Sequence, residues 1–84
     1  MATVTYFAVL PFSRGVDGDF IAESAIEIHG AGQARATASR MIGEGRGAVA
    51  FSRTGDPATN EWEHAVILGR YGDVPDDLAP YTSA

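Results

Sequence analysis

The chain contains no cysteine and no lysine. Without cysteine there is no disulfide, no thiolate nucleophile and no zinc site built on sulfur. A reducing compartment fits that composition. Without lysine, the positive charge rests on Arg14, Arg35, Arg40, Arg46, Arg53 and Arg70. These arginines are scattered and form no basic stripe, and the formal net charge is −5. An acidic domain of this kind is a poor non-specific binder of nucleic acid. Long apolar runs are missing too. No segment approaches the roughly 20 residues needed to span a bilayer. Val4–Phe12 is too short for a secretory signal and is interrupted by Pro11. The expected setting is the cytoplasm, with no nucleic-acid partner and no membrane partner.

What is present fits one small domain of 84 residues. A chain of this length buries roughly 60–65% of its unfolded surface, so its stability is modest unless it self-associates. Apolar residues make up 45% of the chain, but many are alanine. Alanine buries little area, so the core is expected to be closely packed rather than large.

Four strands and one helix follow from the patterning. Thr3–Phe12 is rich in β-branched and aromatic residues and predicts a strand. After the loop Ser13–Asp19, the segment Phe20–His29 alternates. Phe20, Ala22, Ile26 and Ile28 fall on one face, and Glu23, Ala25 and Glu27 on the other, which favours strand over helix. Gly30-Ala31-Gly32 breaks this period. Gln33–Ile42 then takes helical spacing, with Ala31, Ala34, Ala38, Met41 and Ile42 as its apolar stripe. The glycines around Gly43 end the helix. The segments 48–53 and 62–70 predict two strands around the loop TGDPATNE, in which Gly55, Asp56, Pro57 and Asn60 are turn formers.

The order ββαββ predicts an α+β fold, one helix on a four-stranded antiparallel sheet. A right-handed connection across one strand gives the strand order 2-1-3-4. The expected domain covers residues 1–75, with 76–84 as a flexible acidic tail. One helix covers one face of a sheet, yet the first strand is apolar on both: Tyr6, Ala8, Leu10 and Phe12 against Phe7 and Val9. The uncovered apolar face calls for another chain, or for the tail or a second short helix.

Chemical motifs are weak. Gly30-Ala31-Gly32 lacks the third glycine of a dinucleotide turn, since Arg35 stands there. The helix start remains an anion-site candidate through Gly30 and Gly32, with Arg53 and Arg14 as cationic partners. Arg46–Arg53 superficially echoes an RNA-recognition strand, but Ala48 and Ala50 stand where stacking aromatics are needed. Glu61 and Glu63 share a strand face while His64 points away, so with Asp56 they make no metal or acid–base cluster. Arg53 and Asp56 flank the turn as a local ion pair or Asx-turn. There is no GxSxG elbow and no HExxH. No catalytic residue, metal or cofactor is expected.

AFSRTGDP (Ala50–Pro57), AVILGRYG (Ala65–Gly72), GDVP (Gly72–Pro75), Pro11-Phe12 and the alanine-rich helix resemble a family of short bacterial proteins. The resemblance covers most of the chain. It implies the ββαββ arrangement and carries no activity, cofactor or catalytic residue.

The leading expectation is a non-enzymatic protein-interaction module acting as a homodimer, or one that binds another protein. Its interface candidates are Tyr6, Leu10, Phe12 and Trp62. The alternative is a small-anion or metabolite-binding domain using Gly30, Gly32, Arg14 and Arg53.

Overall fold

Two eleven-residue strands, β1 (Val4–Arg14) and β4 (Arg46–Asp56), form the spine of the molecule. They run antiparallel in unbroken register from Val4 opposite Gly55 to Ser13 opposite Arg46. The computed structural model describes residues 3–82. Along the outer side of β1 lie β2 (Phe20–Ala22) and β3 (Ile26–Ile28). Along the outer side of β4 lie β5 (Glu61–Trp62) and β6 (Val66–Gly72). All of these pairings are antiparallel, and the six strands make one sheet. The fold is mixed α+β, with a nine-residue helix α1 (Ala31–Ser39) and a single turn α2 (Ala79–Thr82).

Each outer side is broken by an added residue. Phe12 pairs with Ala22, but Val9 pairs with Ile26, so Leu10 and Pro11 face three residues, 23–25. Pro11 has no N–H for a ladder, and its carbonyl instead accepts the Glu23 N–H at 2.9 Å. One extra residue reverses every side chain beyond it. Phe20 therefore packs on one face of the sheet and Ile28 on the other. This corrects the alternation that puts Phe20, Ala22, Ile26 and Ile28 together. The other side is interrupted by residues 63–65, and the register of β6 shifts again opposite Ala50 and Phe51. Here the Glu63 N–H bonds the Thr54 carbonyl at 2.8 Å.

The core has two halves. On one face α1 presses Ala34 and Ala38 against Val9, Ala48 and Ala50, all five fully buried. Alanine against alanine lets the helix backbone approach closely, and the larger Phe7, Ile28, Met41, Leu68 and Tyr71 fill the margins. The helix ends earlier than its sequence pattern suggests. Arg40 is its C-cap, so Ile42 leaves the stripe and stands exposed. At the far end β4 and β6 pair with Gly47 opposite Gly72. A Cβ on Gly47 would stand 2.5–2.6 Å from backbone atoms of Tyr71 and Asp73, so this close approach requires glycine.

The other face holds Leu10, Phe12, Val49 and Phe51. Residues 76–82, expected as a flexible tail, lie across this face. Leu78 is buried in the cluster, with Val74 packed against it. The Tyr81 ring meets Phe12 edge-on at 5.1 Å, and Phe20 meets it edge-on at 6.2 Å. Asp77 accepts the Ala79 N–H at 3.1 Å, and the Thr82 hydroxyl donates to the Leu78 carbonyl at 3.0 Å. Residues 83 and 84 of the expected tail lie outside the described residues.

Leu78→Ala tests this packing. Truncating one buried leucine here is expected to cost about 2 kcal/mol, a fall of roughly 8–16 °C in Tm for a domain of this size. Thermal unfolding by circular dichroism measures it, and an unchanged Tm would mean that Leu78 is not core.

Candidate interaction surface

The tail covers only the end of its face that holds Phe12. At the other end Tyr6, Ala8, Phe51, Arg53 and Trp62 line an open groove of about 350 Å3, flanked by Ala25 and Glu27. Strand register explains the grouping. Ala8 lies between Glu27 and Phe51 in one row, and Tyr6 pairs with Arg53 in the next. The small Ala8 side chain among larger neighbours leaves the depression.

Trp62 is held by three local features. It pairs with Gly55, where a Cβ would stand 2.5 Å from the indole ring, so the ring lies directly on the glycine backbone. Asn60 takes φ 57°, a left-handed conformation that asparagine tolerates better than most residues. From there its Oδ1 accepts the indole N–H at 3.0 Å. The turn before it is fixed by Asp56, whose carboxylate accepts the Ala58 N–H at 2.9 Å. That is the Asx-turn reading of Asp56, with no Arg53–Asp56 ion pair among the described residues. Tyr6 completes the wall, its ring 5.6 Å from Trp62 and tilted by 35°.

Arg53 stands between this groove and a second one of about 570 Å3. The second groove is lined by Trp62, Glu63, His64, Arg70, Asp76 and Asp77 among others. The Arg53 guanidinium lies 5.3 Å from the Trp62 ring. It is half-buried, and its Nε is fully buried without a hydrogen-bond partner among the described residues. A donor left in that state costs stability unless something supplies an acceptor.

The four anion candidates do not converge. Gly30 is the N-cap of α1, with no side-chain cap, and open space surrounds the Cβ positions of Gly30 and Gly32. Arg14 lies at the opposite end of β1 from Arg53. The eight residue steps from Tyr6 to Arg14 span about 27 Å. Arg14 is also occupied. Its Nε and Nη2 donate to the Asp73 carboxylate at 2.8 and 3.1 Å, and its Nη1 donates to the Gly18 carbonyl at 2.7 Å. Its guanidinium stacks 3.7 Å from the Phe20 ring. Of the arginine candidates, Arg53 is the one without an anionic partner among the described residues.

The interface candidates also divide. Tyr6 is exposed and Trp62 half-buried, both on the groove. Leu10 and Phe12 are 5% and 1% exposed beneath the tail, so neither lies on an open surface. The structure places Arg53, which the sequence offers only in an anion set, on this groove beside Tyr6 and Trp62. The signal for it is the strand register, which puts Arg53 opposite Tyr6. Among the described residues no group of three or more His, Asp or Glu side chains is placed to hold a metal ion. No helix among them is long and apolar enough to cross a membrane.

Two outcomes are expected from variants of these residues. Leu10→Asp puts a charge into the core and abolishes the folded circular dichroism signal. A folded Leu10→Asp protein would restore Leu10 to the surface. Asp73 is held below the usual carboxylate range, chiefly by the Arg14 hydrogen bond; desolvation opposes it, and the Arg14 charge adds a smaller lowering effect. A lowered folded value stabilises above the unfolded value of about 3.9, and that gain is lost as pH falls through the folded value. The Tm difference between wild type and Asp73→Asn is therefore full at pH 7 and shrinks below about pH 4. A difference that stays constant down to pH 2 would contradict the pairing.

No protein-family model, no curated protein and no solved structure gives a significant match to this chain.

Proposed function

We propose that this protein is a small non-enzymatic interaction module of the bacterial cytoplasm that works as a homodimer. Tyr6, Ala8, Phe51, Arg53 and Trp62 form its contact surface. The observation that carries this reading is the Tyr6–Trp62 aromatic wall beside the groove over Ala8 and Phe51, at the one end of the face that the tail leaves open. Aromatic and arginine side chains over a shallow apolar floor are the residues that dominate protein contacts. The charges around the groove, Arg53 and Glu27, are of opposite sign, which suits a second copy of the same surface.

We also read β2 with β3, and β5 with β6, as single strands interrupted by bulges. On that reading the sheet has four strands in the order 2-1-3-4, with α1 crossing from the second to the third. The one-residue register changes at 23–25 and at 63–65 support it.

A second reading, small-anion or metabolite binding, is favoured by one observation. The Arg53 guanidinium has no anionic partner among the described residues and lies against Trp62 between two grooves. Trp62 is the chain's only tryptophan, so its fluorescence reports directly on that site. A saturable change on adding benzoate, absent with benzamide and lost in Arg53→Gln, would move the assignment to this reading.

Light scattering after size exclusion, across a concentration series, tests the homodimer. Twice the 8.8 kDa chain mass is expected for wild type, and the single mass for Trp62→Ala with an unchanged circular dichroism spectrum. Wild type that stays monomeric at millimolar concentration would contradict it.

A further inference from the structure

Arg53 and Glu27 stand on the same face of the sheet, on opposite sides of β1. Glu27 pairs with Ala8, Ala8 with Phe51, and Arg53 lies two residues beyond Phe51. Two strand spacings across and two residues along put their Cα atoms about 12 Å apart. Among the described residues neither has an ion-pair partner. Glu27 is exposed and Arg53 half-buried. The groove lies between them, with Tyr6 and Ala8 on its floor and wall. A cation on one side of an apolar groove and an anion on the other, neither ion-paired among the described residues, make a self-complementary pattern.

We infer that a second copy of this chain docks face to face on this groove, with Arg53 of each copy paired to the partner's Glu27. This rests on the homodimer reading and specifies its geometry. A two-fold axis lying in the interface, over β1 between Tyr6 and Ala8, exchanges the positions of Arg53 and Glu27. The contact is isologous, so one pairing generates the other by symmetry. The two Tyr6–Ala8 grooves then face each other, and each copy's aromatic wall shields the charge pair beside it from water. Pairing also supplies the Arg53 guanidinium with an ion-pair partner, which it lacks among the described residues. A charge-assisted fork of this kind orients the contact as well as holding it. The covered end of the face stays outside the contact, because Leu78 and Tyr81 already occupy it.

Charge reversal tests the pairing by light scattering on the full chain. Glu27→Arg and Arg53→Glu are each expected to raise the dimer dissociation constant at least about tenfold, because each reversal sets two like-charge contacts in the dimer. The double reversal, Arg53→Glu with Glu27→Arg, restores association to within about threefold of wild type, since both pairs re-form with exchanged signs. Single reversals that dimerise like wild type, or a double variant no better than the singles, would overturn the pairing while leaving the homodimer in place. A monomeric wild type would instead remove the homodimer reading itself.

If Arg53→Glu does not fold, the absence of native cysteine gives an independent route. Glu27→Cys protein mixed with Arg53→Cys protein is expected to form a covalent dimer on mild oxidation, and neither alone should do so. Equal cross-linking in the unmixed proteins, or none in the mixture, would overturn the geometry.

Discussion

Everything in this fold depends on the pairing of β1 with β4. The two strands are long, central and apolar on both faces, so each face must be covered by something. One nine-residue helix is enough for one face only. Alanine makes that helix cover efficient, because Ala34 and Ala38 sit directly on Val9, Ala48 and Ala50. The opposite face has no second full helix to draw on among the described residues. It is closed at the Phe12 end by Val74, Leu78 and the single turn that follows, and it stays open at the Tyr6 end. The covered end and the open end have different chemistry. Aliphatic and phenylalanine side chains lie under the tail, while tyrosine, tryptophan and arginine line the open groove.

The α+β class and the long central strands were legible because β-branched and aromatic residues concentrate there and the helix keeps its alanine period. The bulges were not legible. Phe20–His29 alternates cleanly as text, and no local propensity marks the extra residue at 23–25. The reason for it lies on the neighbouring strand, in Pro11, which offers no N–H to a ladder. The end of α1 was misplaced for a related reason. Met41 and Ile42 continue the apolar spacing, but the chain must turn at Arg40 to bring Gly43 against Arg46. In the tail, prolines and acidic residues suggest fraying, and the packing of one leucine and one tyrosine ring on the sheet is not visible from composition.

The site was legible residue by residue and not as a set. Tyr6, Trp62 and Arg53 are individually visible in the sequence, but their meeting depends on register across the sheet. Trp62 reaches Tyr6 because Gly55 leaves room for the indole and Asn60 holds its N–H. Arg14 and Arg53 look alike in sequence and differ wholly in circumstance. The first is spent on Asp73, Gly18 and Phe20, and the second leans on an aromatic ring with no ion-pair partner among the described residues. Leu10 and Phe12 look no less available than Tyr6 until the tail is placed over them.

The chain's own C-terminal segment closes one end of the second sheet face and leaves the Tyr6 end open. Proton NMR on the full chain tests this most directly, through nuclear Overhauser contacts between aromatic rings. Cross-peaks between the Tyr81 and Phe12 rings, whose centroids lie 5.1 Å apart, are predicted at every protein concentration. Random-coil shifts for Tyr81, with no cross-peak to Phe12, would contradict the account and reopen the whole face.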